Sequence, residues 1–221
     1  MRDRKYLLLD VDNTLYPKSS GLDKVLRNRI IQYLSEKHGM TLQEAEEARE
    51  RYVKKYGLSL PGIMEDFDVD VAEYQEYIHD VDMSKYIKPN PGLSNILESL
   101  PYEKVLYTNS SEDHTRRVIE ALGLDIDRFT KIVDFRSTGC RAKPLLDGFQ
   151  AMLDLVGAKG EECIMVDDMP KTISVAKLDF GMGTVLVDED KVIKLREADW
   201  QISEISQLGV ITAWQSDKDP K

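Results

Sequence analysis

The chain has 221 residues, 42% hydrophobic and 32% charged, which suits one packed core with room for an insertion and excludes a disulfide-stapled miniprotein, a fibrous chain and a disordered one. Its 40 acidic residues outnumber 30 Lys and Arg, a formal net charge of −10 and the wrong sign for tracking a phosphate backbone or an anionic membrane. A cytoplasmic protein is expected, monomeric or a small homo-oligomer, with no nucleic-acid polymer and no membrane as partner; only four apolar residues separate Lys5 from Asp10, too few for a signal peptide or a span.

In chain order, Tyr6 to Leu9 reads as a strand that runs into Asp10. The stretch 17–88 shows no convincing strand and reads as an inserted all-α domain. Val25, Arg29, Ile30, Tyr33 and Leu34 mark a first amphipathic helix closed by Gly39. Thr41 and Glu44 form a capping box for a second, which runs to Tyr56 and stops at Gly57. Val71 to His79 gives a third. Pro89 to Gly92 returns the chain to the sheet, with Pro91 suited to the first turn of a helix over Leu93 to Leu100. Val105 to Tyr107, Ile132 to Phe135, Ile164 to Val166 and Thr184 to Val187 are the remaining strands. Val118, Ile119 and Leu122 line one face of a helix from Glu112 that Gly123 stops; Leu145, Phe149, Met152, Leu153 and Val156 form the stripe of another, ended by Gly157.

Strand, loop and helix in repetition predict an α/β fold, a Rossmann-like parallel sheet with crossover helices, formed by 1–16 and 89–221 and interrupted by the helical 17–88. Cys140 and Cys163 lack CxxC spacing and are expected as ordinary buried thiols. Trp200 and Trp214 are expected to pack the C-terminal segment on the core, with a polar tail from Ser216.

In an open α/β sheet, ligands collect beyond the carboxyl ends of the strands. There the sequence places Asp10, Asp12, Thr108, Asn109, Ser110, Lys143, Asp167 and Asp168. Carboxylates crowded on one rim repel by about a kcal/mol or more per pair at intermediate dielectric, so a cation among them is expected. An oxygen-only ligand set suits Mg²⁺.

Asp10 to Leu15, Thr108 to Ser110, Lys143-Pro144 and Asp167-Asp168 resemble, in order and separation, the four signature motifs of the haloacid dehalogenase superfamily, and the helical insertion resembles its first-position cap. The segments Asp10 to Pro17, Tyr52 to Gly62, His79-Asp80 and Thr108 to His114 are similar to pyrimidine 5′-nucleotidases. The resemblance implies that Asp10 attacks phosphorus to form an aspartyl phosphate, while Asp12 first protonates the leaving oxygen and then takes a proton from water. An alkoxide leaving group needs that acid and a halide does not, so Asp12 favours a phosphatase. Lys143, Thr108 and the backbone amide of Asn109 would hold the phosphoryl oxygens.

Mg²⁺ would sit on the Asp10 carboxylate, the Asp12 carbonyl and Asp168, with Asp167 linked through water, although the sequence leaves open which of the adjacent acids binds directly. Met169 and Thr172 depart from the branch pattern after that pair. The implied substrate is a small phosphorylated metabolite, a nucleoside 5′-monophosphate first. A phosphatase for a sugar phosphate or other small organophosphate, a phosphosugar mutase and a non-catalytic phospholigand-binding protein are the alternatives. Substrate choice is expected in the cap, where Tyr52, Lys55, Tyr56 and His79 are candidates that also read as packing or surface residues. His114 is expected in a structural role and Lys54-Lys55 as a solvated face.

Overall fold

The computed structural model describes residues 4–212, so Trp214 and the polar tail from Ser216 lie outside the described residues. Its centre is a six-stranded sheet: β1 (Tyr6–Leu9), β2 (Glu103–Tyr107), β3 (Lys131–Val133), β4 (Cys163–Asp167), β5 (Gly183–Val187) and β6 (Trp200–Ile202). All five neighbouring pairs are parallel, in the order β3-β2-β1-β4-β5-β6. Side chains that alternate along each strand divide the core in two. Leu7, Leu9, Leu106, Ile164 and Val166 face one layer; Leu8, Val105, Tyr107, Cys163 and Met165 face the other. Both faces being covered, the strands are nearly continuous apolar runs, as a parallel sheet requires.

The helices are α1 (Leu22–His38), α2 (Leu42–Tyr56), α3 (Leu60–Asp66), α4 (Val71–His79), α5 (Pro91–Ser99), α6 (Glu112–Ala121), α7 (Leu146–Val156) and α8 (Pro170–Leu178). The Thr41 capping box forms, with the Glu44 amide donating to Thr41 Oγ1 and Glu44 Oε2 accepting from the Thr41 amide. Helices α1 to α4 share a buried cluster of their own, including Leu34, Ala48, Ile63 and Tyr74, which also takes in Phe135 and Ala142 from the segment after β3. Among the described residues no helix is long and apolar enough to cross a membrane.

Several elements differ from the sequence expectation. The insertion holds four α-helices, since Pro61 falls in the first turn of α3, where a missing N–H costs nothing. Strand β3 ends at Val133, because Phe135 turns away to pack with the helical insertion. Strand β6 has only three residues and no apolar run to announce it; Trp200 within it packs against the core as expected. Cys163 is fully buried, but Cys140 is only half-buried, in a left-handed turn at φ 61° beyond β3.

Gly62 is where α3 meets α2: a Cβ there would stand 2.2 Å from the ring of the buried Tyr52. Gly62→Ala is therefore expected to destabilise the protein by about 1–3 kcal/mol through overpacking, seen as a lower denaturation midpoint. An unchanged midpoint would mean that the two helices can part freely.

Candidate active site

The sheet reverses its winding between β1 and β4, and this switch point is where the site forms. The Asp10 amide donates to the Val166 carbonyl at 3.0 Å, so β1 and β4 end side by side. Val11 is fully buried, which places Asp10 and Asp12 together on the opposite side of the alternating backbone. Asn13 then turns the chain at φ 60°, a conformation Asn tolerates well.

Lys143 is the hub, 3% exposed in the loop after β3. Its Nζ donates to Asp10 Oδ1 at 2.7 Å, Asp167 Oδ2 at 2.8 Å and the Tyr107 carbonyl at 2.8 Å. Burial alone would lower its pKa, but Asp10 and Asp167 outweigh that and raise it. The loop is clamped by Asn109, whose side chain donates to the Lys143 carbonyl at 3.0 Å and accepts from its amide at 2.9 Å. Thr108 Oγ1 accepts from the Ser110 amide at 3.0 Å, which leaves its own proton to offer to a ligand.

Asp10, Asp167 and Asp168 each bring a carboxylate oxygen within 4.8 Å of the others. Burial, opposed by Lys143 and reinforced by Asp167, pushes the Asp10 carboxyl up to about 7. Burial and then the charges of Asp167 and Asp10 push Asp168 up to about 8. Asp167 is committed on both oxygens, Oδ2 to Lys143 and Oδ1 to the Met169 amide at 2.8 Å. Three acids facing one lysine leave negative charge uncompensated, and an all-oxygen set of this kind fits a hard divalent cation.

Asp12 has a different environment. Its Oδ1 accepts from Tyr16 Oη at 2.6 Å and lies 2.7 Å from His114 Nε2, while Oδ2 accepts from Ser110 Oγ at 2.6 Å. Burial would raise its pKa, but His114 and the two hydroxyls prevail and hold it well below the usual carboxylate range. His114, expected in a structural role, is buried and holds the Asp12 carboxylate. Its ring stacks on His79, centroids 4.1 Å apart, and burial followed by the His114 charge holds His79 well below its ordinary pKa.

A cleft of about 240 Å³ opens between this rim and the helical insertion. It brings together all the predicted core residues, Asp10, Asp12, Thr108, Asn109, Lys143, Asp167 and Asp168. Of the cap candidates only His79 lines it. Tyr52 is buried against α3 and bonds to Asp66, while Lys55 and Tyr56 pair with Glu65 on the outside. The cap side is instead lined by residues the sequence reading missed, among them Arg27, Arg49, Ser59 and Gln75. The available signal was a polar residue on an apolar stripe: Arg49 beside Ala45, Ala48 and Tyr52, and Gln75 beside Tyr74 and Ile78.

Comparison with known proteins agrees with this fold. A family model described as haloacid dehalogenase-like hydrolase matches residues 5–178. Phosphate metabolism protein 8 of Saccharomyces cerevisiae is 32% identical over 130 residues, 55% of this chain and 40% of that protein; the match thus spans about two fifths of the curated relative's length. Among solved structures, a HAD phosphatase from Thermococcus onnurineus superposes with a TM-score of 0.62 at 21% identity, covering 94% of this chain and 97% of that one. An L-2-haloacid dehalogenase from Xanthobacter autotrophicus, with chloropropionic acid covalently bound, gives 0.58 at 16% identity, covering 95% and 98%.

Proposed function

The chain belongs to the haloacid dehalogenase-like hydrolase family, and we propose that within it the protein is a Mg²⁺-dependent phosphomonoesterase acting on nucleoside 5′-monophosphates, with 17–88 as its cap. One observation carries the reading of a phosphatase: a second carboxylate, Asp12, shares the rim with Asp10 and is held by three side-chain partners. A halide leaves without a proton, so a dehalogenase has no use for such a group; a sugar alkoxide does.

Asp10 is the nucleophile. A carboxylate oxygen forms the bond to phosphorus as the bond to the sugar oxygen breaks, and the Asp12 carboxyl delivers its proton to that oxygen. Asp12 is ionised in the resting site and takes up a proton from solvent as substrate arrives, because the phosphate dianion beside it favours the protonated form by Coulomb repulsion. The resulting Asp12 carboxylate then takes a proton from water, whose oxygen attacks phosphorus and releases Asp10. Lys143, Thr108 and the Asn109 amide face the phosphoryl oxygens throughout, and preorganised donors of this kind dominate phosphoryl transfer.

Asp10, the Asp12 carbonyl and Asp168 would hold the cation, with Asp167, its oxygens already engaged, linked through water. When bound, the cation neutralises charge on the transferring group. A sugar-phosphate phosphatase is the second reading, favoured by the small size of the cleft. Phosphate release from a panel of nucleotides and sugar phosphates separates the two; turnover confined to sugar phosphates removes the nucleotidase.

Chelation is expected to abolish turnover and added Mg²⁺ to restore it. Carboxyls raised to about 7 and about 8 must lose their protons to accept a cation, so affinity rises with pH. The increase in melting temperature given by Mg²⁺ should be larger at pH 8.5 than at pH 6. Equal increases at both would mean that the cation binds elsewhere.

A further inference from the structure

The cap side of the cleft carries two polar atoms for which the phosphate chemistry has no use. Gln75, on α4, is 3% exposed, yet among the described residues its Oε1 has no hydrogen-bond partner; Arg49 Nε, on α2, is likewise buried without one. Both residues line the cavity. Buried polar atoms are nearly always paired, so an orphan acceptor and an orphan donor on one cavity wall point to a ligand that offers the reverse. The neighbouring arginine does not compete for this role, because Arg27 is engaged by Glu46 and Glu50. No salt bridge to Arg49 exists among the described residues, and burial followed by the Arg27 charge pushes its pKa down.

The rest of the cap wall narrows the ligand. Leu26, Ile30, Val53 and Ile78 present apolar surface to the same cavity, which suits the face of a flat ring and penalises a leaving group covered with hydroxyls. A carboxylate could meet Arg49 but would face the Gln75 carbonyl oxygen with no proton to give it. An adjacent carbonyl and N–H satisfies both atoms. At about 240 Å³ the cleft is below the roughly 300–1,000 Å³ of drug-sized pockets, which favours one ring over two.

We propose that Gln75 and Arg49 are specificity-determining residues that read the lactam edge of a one-ring heterocycle on the leaving group, Arg49 donating to its carbonyl and Gln75 Oε1 accepting from its N–H. The inference rests on the nucleotidase reading and extends it from the phosphate to the base, with uracil as the simplest example.

The test is the ratio of kcat/KM for UMP to that for ribose 5-phosphate, which has the phosphate and sugar but no base. Gln75→Met and Arg49→Met are each expected to lower that ratio about tenfold to a hundredfold, mostly through KM for UMP, the range expected when a partner is removed from a buried hydrogen bond. Free uridine should also inhibit ribose 5-phosphate turnover in the unaltered protein, and less well in the variants. Gln75→Leu, close to glutamine in size and without an acceptor, carries the test if Gln75→Met fails to fold. A ratio that stays constant while UMP remains a substrate overturns the assignment of these two residues and leaves the nucleotidase standing. Hydrolysis of ribose 5-phosphate without UMP overturns both.

Discussion

Asp10→Asn is expected to lower kcat by at least about 10⁴-fold, the scale seen when a covalent nucleophile is removed, while the protein remains folded. An amide oxygen is too weak a nucleophile to open phosphorus, and the neighbouring acids are not free to replace it: Asp167 is tied to Lys143 and the Met169 amide, and Asp12 is held by Tyr16, Ser110 and His114. The fold should tolerate the change because the asparagine oxygen can still accept from Lys143 or Thr14, both at 2.7 Å from Asp10 now. The variant also gives up a carboxyl that burial has pushed to about 7, so without metal its stability should fall within about 1 kcal/mol of the original. Initial rates of phosphate release, with acid-quenched labelling of the phosphoenzyme, read the first expectation; a denaturant titration reads the second. Turnover within tenfold of the original, or labelled phosphate retained by the variant, would place the covalent step on another residue.

The place of that proposed nucleophile was legible in the sequence because it follows from the most local of signals. Tyr6 to Leu9 is an apolar run, the residue that follows it is acidic, and a parallel strand presents its carboxyl end to ligands. The same logic found Thr108, Lys143 and the acids after β4. It failed where a role depends on how two distant segments meet. His114 reaches Asp12 across 102 residues of chain, and nothing in its own helix announces that it will. Asn109 was read for its backbone, whereas its side chain clamps the loop that carries Lys143. Tyr52 and Tyr56, candidates for stacking on a base that also read as packing or surface residues, take the second role, since the turn of α2 sends them to α3 and to the outside. Arg49 and Gln75 were passed over as ordinary helix residues, since only the closed cavity leaves their polar atoms without partners. Helix α3 and strand β6 escaped for a simpler reason, being too short for periodicity to register.

Lys143→Met should cost both stability and activity, and pH separates the two losses. All three ammonium protons are committed, two to buried carboxylates and one to the Tyr107 carbonyl. Methionine fills much the same volume but leaves Asp10 and Asp167 as unpaired buried acids, a change that costs about 3–5 kcal/mol when both remain charged. They need not remain charged. Without the lysine, the folded-state pKa of Asp10 rises above its present value near 7, while the unfolded carboxyl titrates near 3.8. The original protein already holds Asp10 protonated below about pH 7, so the penalty relative to it is small below that pH and grows as pH rises from there to the further-raised pKa. Unfolding titrations should show a modest loss at pH 5.5 and the larger one at pH 8.5, in the absence of divalent cations. Activity should fall by about 10³-fold or more at every pH, since no group replaces the charge facing the phosphoryl oxygens. The double variant Asp10→Asn/Lys143→Met should regain part of the stability at pH 8.5, a coupling of about 1–3 kcal/mol for residues in direct contact, and none of the activity. Additive stability losses in that pair would mean that the lysine and the first aspartate do not share their charge, and the site would need another source of compensation for its acids.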